Sequence, residues 1–437
     1  MQRRNFMEGG IAALSARRVL GANDRIRAGL IGCGGRGRYV AGLMARSPGV
    51  EFTAVCDVYA ANAAAALRRA GAGARACSDF RKLLDDKDID IVLIATPDHW
   101  HAIPAILACE AGKDVYVEKP LAHNVREGRA MVAAARRYNR IVQTGTQQRS
   151  APHFAEVAGI IQSGELGDVR FVRVWNFSNM TPDGIGREAD SDVPEGLDWD
   201  MYLGPAPQAP FNRKRFLGTF RWFWDYAGGT ITDFGTHRFD TVHQIMGVDA
   251  PEKVSASGGR FTLRDAGEMP DVLQVTYDYP GFVLSYEASN ISAHGLGGRT
   301  AGMRYYNARG AEDRPNGMAF YGTNGALFAD RIGYEIYPDF NRSGNEPRIS
   351  ARRRNTTDAT ELHARNFVEA VRGRRRPAAD VETGHRSTLV GHLGNIAFKT
   401  GKKLKWDAGR ESFVQDAEAD RLLGRTARKP WDLIPVI

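Results

Sequence analysis

From Arg25 onward the apolar residues alternate between short continuous runs and helical stripes. Ile26–Ile31 is a strand-like run ending in glycines, residues 35–46 read as a helix, and Val50–Cys56 is a second strand closing at Asp57. An alanine-rich helix over about 60–70, a short helix over Asp79–Leu84 and an apolar run at Ile89–Ala95 follow. Helices at 101–111 and 125–138 then alternate with strands at Val115–Val117 and Ile141–Gln143. Uninterrupted apolar strands separated by helices suit a parallel sheet covered on both faces, so the pattern predicts a doubly wound α/β unit.

The pattern changes after about residue 150. A helix near 153–163 leads to an alternating strand over Val169–Trp175, and a loop rich in Pro, Gly and Asp spans about 178–220. Strand-like segments at 253–263, 271–278, 282–289 and 326–329 have a mostly antiparallel character. One helix carries the apolar spacing Leu362, Phe367, Val368, Val371, and another runs from about Thr383 to Thr400. No repeat is apparent. The expected division is a leader-like segment at 1–22, the doubly wound unit at 24–149 and a sheet-rich unit at 150–437, with no linker separating the last two.

Composition changes this picture little. A chain of 437 residues suits two cores, and 43% hydrophobic with 25% charged residues is the balance of a globular protein. The net charge is +8, but the basic residues are scattered, and the densest group, Arg372 to Arg376, sits in a Gly/Pro-bearing turn without any nucleic-acid-binding signature. Nucleic acid is therefore not an expected partner. No uncharged apolar run reaches the ~18 residues that a membrane span needs. Cys33, Cys56, Cys77 and Cys109 lack metal-like spacing and read as buried free thiols; no metal site is expected. Arg3-Arg4-Asn5-Phe6-Met7 resembles a twin-arginine export signal, although the apolar stretch Gly9–Ala16 is short and Arg17-Arg18 interrupts it. The expectation is export to the periplasm; the alternative is a basic terminus on a cytoplasmic protein.

Four segments could carry chemistry. Gly32-Cys33-Gly34-Gly35-Arg36-Gly37 fits G-x-G-x-x-G after a strand and before a helix, where backbone N–H groups and the helix dipole favour a pyrophosphate. Asp57, twenty residues on, could accept hydrogen bonds from the adenosine ribose and repel a 2′-phosphate, favouring NAD with NADP as the alternative. Thr96-Pro97-Asp98-His99-Trp100-His101 and Glu118-Lys119-Pro120 follow further strands at the edge where such sheets bind ligands. His101 reads equally as a helix-starting residue or as a ligand contact. Lys119 could hydrogen-bond a substrate hydroxyl and favour charge on its oxygen. In the stretch Gly228–Asp240, helical spacing puts Asp233, His237 and Asp240 on one face. A histidine can take an alcohol proton, and a carboxylate one turn away could orient it.

Taken in order, these motifs resemble the Gfo/Idh/MocA family: the glycine loop, T-P-x-x-x-H at Thr96–His101, E-K-P at Glu118–Pro120 and G-G-x-x-x-D-x-G-x-H-x-x-D at Gly228–Asp240. His363–Phe367 and Val381–Gly384 also look familial. The resemblance implies an N-terminal Rossmann domain and a C-terminal α/β domain with a large, mostly antiparallel open sheet, assembled as a homodimer or homotetramer. It implies an oxidoreductase moving hydride between nicotinamide and a sugar or polyol, with Lys119, Asp233 and His237 catalytic. Gly32, Gly34, Gly35, Arg36, Gly37, Asp57, Thr96, Pro97, His101 and Glu118 are then the cofactor candidates. Trp222, Trp224 and Tyr226 could wall the substrate, with Asp240 beside them, and buried packing explains any one of the aromatics equally well. The family also holds redox-neutral, NAD-dependent glycoside hydrolases and a non-catalytic dinucleotide-binding regulator, and both stand as alternatives.

Overall fold

The computed structural model describes residues 25–295, 315–356 and 358–433; the leader-like residues 1–22 lie outside the described residues. Six short strands form the first sheet: β1 (Ile26–Ile31), β2 (Val50–Cys56), β3 (Arg75–Cys77), β4 (Ile91–Ile94), β5 (Asp114–Val117) and β6 (Val142–Thr144). They lie in the order β3-β2-β1-β4-β5-β6, each neighbour parallel. The crossovers are α1 (Gly35–Met44), α2 (Ala60–Leu67), α3 (Phe80–Leu84), α4 (Ala102–Glu110) and α5 (Val125–Arg137). All four residues of β4 and of β5 are buried, as a sheet covered on both faces requires. The order of strands reverses between β1 and β4, which opens a crevice at their carboxyl ends.

Helix α6 (Pro152–Gln162) leads into β7 (Phe171–Asn179), the centre of a second sheet. A short helix α7 (Trp199–Leu203) and several turns of 3₁₀ helix occupy the loop before α8 (Gly229–Met246). The remaining strands are β8 (Lys253–Gly259), β9 (Val272–Tyr279), β10 (Phe282–Ser289), β11 (Ile291–Ser292), β12 (Asn316–Gly322), β13 (Gly325–Asp330), β14 (Gly333–Pro338), β15 (Arg352–Asn355), β16 (Leu404–Asp407) and β17 (Ser412–Phe413). Their order is β15-β14-β13-β12-β7-β10-β9-β8-β16-β17, with β11 beside β7. Among the described strand pairs of this second sheet, only β7–β10 is parallel. Alternate residues such as Val172, Val174 and Leu284 enter the core, while Phe171 and Val283 stay exposed on the open face.

Helices α9 (Thr360–Gly373) and α10 (Val381–Thr400) follow the second sheet in sequence but not wholly in space. Helix α10 packs against α8 and α5, whereas α9 lies on α1 and joins the core beneath β1 through Ala364, Phe367, Val368 and Val371. A last short helix, α11 (Ala417–Arg421), closes the described fold. Cys33, Cys56 and Cys109 are buried free thiols, and Cys77 is a half-buried one. None of the described helices is long and apolar enough to cross a membrane.

Candidate active site

Four strand ends deliver the motifs to one crevice. Gly32 follows β1, Asp57 follows β2, Thr96 lies just past β4 and Glu118-Lys119 follow β5, and α8 from the second domain brings Asp233, Phe234 and His237 against them. Together they line a cavity of about 750 Å³, within the range of small-molecule sites.

At one end the glycine loop forms a cradle. Gly32 adopts φ +87°, and a Cβ there would strike the Ala95–Thr96 backbone at 2.6 Å. A Cβ on Gly37 would come within 2.2 Å of the Gly32 carbonyl, so the third glycine is what lets α1 start so close to β1. Gly34 and Gly35 face open space, and both line the cavity. Asp57 fastens the loop from the next strand: Cys33 N–H donates to its Oδ2 at 2.7 Å and Tyr59 N–H to its Oδ1 at 2.8 Å. Burial pushes the Asp57 carboxyl up, against these hydrogen bonds. Arg36 reaches across to Glu118 Oε1 at 2.8 Å and keeps one buried Nη2 without a partner among the described residues.

At the other end sits a charged cluster. Lys119 Nζ donates to the Asp233 carboxylate and, at 3.1 Å, to the Asp233 carbonyl. Arg221 Nε pairs with the other carboxylate oxygen at 3.2 Å. Burial alone would raise the Asp233 carboxyl, but Lys119 and Arg221 outweigh it and hold the group below the usual carboxylate range. His237 is buried, and its Nδ1 has no partner among the described residues. Burial, and then the charges of Lys119, Arg331, Arg36 and Arg238, push its imidazole well below the usual range, so the ring is neutral. Asp98 also lines the cavity; burial pushes its carboxyl up to about 7, with Arg221 and Lys119 opposing and Asp233 adding to the rise.

Several sequence expectations need correction. Asp233 does not hold the ring of His237; its carboxylate is taken by Lys119 and Arg221, so it positions the lysine instead. Trp224, Tyr226 and Asp240 do not line the cavity. Trp224 lies under Lys399, 3.8 Å from the ring centre, and Tyr226 is fully buried against His99, Tyr202 and Phe223. Asp240, one turn past His237, is sealed in an ion pair with Arg149 and a hydrogen bond from Ser387. His101 reaches the cavity, but its two ring nitrogens sit 2.7 Å from the Pro120 carbonyl and 3.0 Å from that of Thr96, tying the two strand ends together. Thr96, Pro97, Glu118 and Lys119 line the cavity. The sequence reading assigned no role to Asp98, Gln147, Arg221, Phe234 and Arg331, which also line it. Asp98 and Phe234 fall inside the segments Thr96–His101 and Gly228–Asp240; Arg221 and Arg331 come from a loop and a tight turn that carry no periodic signal.

A doubly wound sheet with a glycine cradle, closed by a helix of a second sheet domain, defines a two-domain dinucleotide-binding protein. The profile of an oxidoreductase family with an NAD-binding Rossmann fold matches residues 26–146, and that of the family's C-terminal alpha/beta domain matches 160–287 and 321–433. The chain belongs to the Gfo/Idh/MocA oxidoreductase family. An inositol 2-dehydrogenase of Salmonella typhimurium is 33% identical over 158 residues, 36% of this chain and 47% of that one, so the match spans about half the length of the relative. The scyllo-inositol 2-dehydrogenase (NAD(+)) of Bacillus subtilis is 24% identical over 88% of this chain and 98% of its own. Among solved structures, levoglucosan dehydrogenase in complex with NADH and levoglucosan superposes with a TM-score of 0.63 at 21% identity, covering 87% of this chain and 99% of that one. The residues here fit NAD: Gly34 and Gly35 leave the space a pyrophosphate needs, and Asp57 offers a carboxylate where an adenosine ribose would lie.

Proposed function

We propose that this chain is a sugar or polyol dehydrogenase that interconverts a ring hydroxyl and a ketone. The observation that carries the reading is that a neutral His237 and the Lys119–Asp233 pair line the same cavity as the glycine cradle. NAD, when bound, supplies the hydride acceptor. His237 takes the hydroxyl proton as general base. Lys119 donates a hydrogen bond to the same oxygen and favours negative charge there. Asp233 keeps the lysine in place and is itself held by Arg221, and burial strengthens each of these interactions.

The test is NADH formation against a panel of free sugars and polyols. His237→Ala and Lys119→Ala should each lower kcat/KM by roughly 10²–10⁴-fold, the usual cost of losing a general base or a charge-stabilising donor. NADH affinity, read by fluorescence titration, should hardly move. Full activity in either variant would remove that residue from the mechanism.

Asp98 favours a second reading. A carboxyl that titrates near neutrality in the same cavity is a further acid or base, which a redox-neutral glycoside hydrolase would need for its elimination step. Aryl-glycoside cleavage without net NADH would select that reading.

A further inference from the structure

The stripe of α8 that faces the catalytic cavity does not end there. Thr230, Asp233, Phe234 and His237 fall at i, i+3, i+4 and i+7, on one helix face. The C-terminal part of the stripe lines the main cavity, and its N-terminal part lines a side pocket of about 130 Å³. The two spaces share Arg221, Asp233 and Phe234. The pocket's volume is about ten times what a single water requires.

Three amides and three aromatic rings shape this pocket: Asn176, Asn290 and Asn316 with Phe177, Trp222 and Phe234. Asn176 is 5% exposed, and its Oδ1 has no hydrogen-bond partner among the described residues. The other two amides are oriented by their neighbours. Asn290 Oδ1 accepts from Ser178 Oγ at 2.9 Å, and Asn316 Oδ1 accepts from Arg238 Nη2 at 2.7 Å, so both are left with NH₂ groups to donate.

A ligand in the pocket therefore lies beside the Asn176 amide and meets the NH₂ donors of Asn290 and Asn316. Hydroxyl oxygens accept from such donors, whereas a metal ion would be met by NH₂ groups. The charges at the pocket wall, Arg221 and Asp233, are already paired with each other, which suits a neutral ligand. The aromatic rings suit the apolar C–H face of a sugar ring. We infer that the side pocket is a second sugar subsite, so that the substrate is a glycoside with a second ring, held across Phe234 while its first ring meets Lys119 and His237. This inference rests on the sugar or polyol reading above and narrows it to a disaccharide-like substrate.

The test is calorimetric titration of the full protein with NADH bound. The probes are glucose, galactose and mannose, then cellobiose, maltose, lactose, trehalose and mannobiose. At least one disaccharide should bind tenfold or more tightly than either of its component sugars. That ratio should fall to twofold or less in Asn176→Ala and in Trp222→Ala, the second variant guarding against a folding defect at the buried strand position. A panel in which no disaccharide exceeds its monosaccharides overturns the subsite while leaving the dehydrogenase reading intact. A ratio that survives both substitutions overturns it as well. If no sugar of either kind binds, the sugar reading itself falls and the subsite falls with it.

Discussion

Asp98 is where the chemistry of a single residue is most exposed to experiment. Its carboxyl is buried among Arg221, Lys119 and Asp233, and burial pushes it up to about 7. An unfolded aspartate titrates near 3.9, so between about pH 4 and 7 the folded chain keeps a proton that the unfolded chain has lost. Folding stability from this group therefore declines as pH rises through that window and stays low above it. Asp98→Asn removes the decline: its denaturation midpoint should drop less than the parent's between about pH 5 and 8, and its pH–rate profile should lose an inflection near neutrality. Identical profiles would mean that Asp98 does not titrate there. At this scale the sequence revealed residue types well and partners poorly. Lys119, Asp233 and His237 could be picked out because the order of their motifs resembles the family, with a strand end and a helical spacing in agreement. That Asp233 binds Lys119 and Arg221 rather than His237 depends on how two domains face each other, which no local pattern encodes.

Among elements, the turn from β1 into α1 separates folding from binding. Its glycines have different reasons to lack a side chain. Gly37→Ala would press a methyl against the Gly32 carbonyl, whereas Gly35→Ala places one in open space within the cavity. The expected outcome is that Gly37→Ala loses stability by roughly 1–3 kcal/mol, as overpacking does, while Gly35→Ala keeps its unfolding midpoint but binds NADH at least tenfold more weakly. A Gly35→Ala protein with unchanged NADH affinity would show that this part of the loop does not approach the dinucleotide. The βαβ elements were legible because continuous apolar runs and helical stripes differ in period, and β2 was found to the residue. The loop expected over 178–220 proved the hardest to read. It contains α7 and 3₁₀ turns whose Phe216, Leu217 and Phe220 wall the cavity, and segments so short show no period.

On the scale of the molecule, α9 shows why the two domains are not independent. Phe367, Val368 and Val371 of its expected stripe are buried while Leu362 is exposed, and which surface the stripe covers was not legible, because a stripe specifies burial without naming a partner. The helix comes after the second sheet in the chain, yet Phe367 is fully buried beneath the first, with its ring 5.8 Å from that of Tyr116 at 75°. His363 adds hydrogen-bonding contacts to the Thr144 carbonyl at 2.8 Å and to Ser150 at 2.7 Å, at the point where the chain passes from one domain to the other. The dinucleotide-binding core is therefore completed by chain that belongs, in sequence, to the second domain. Removing the Phe367 ring should cost about 3–5 kcal/mol. Since α9 is joined through α10 to α8, which carries Asp233 and His237, loss of the first core should loosen the catalytic helix as well. The full chain is thus expected to melt in one calorimetric transition that NAD shifts as a whole, and Phe367→Ala should lower the midpoint of that single transition. Two resolved transitions, only one of them moved by NAD or by the substitution, would mean that the sheets fold separately and that α9 is packing rather than coupling.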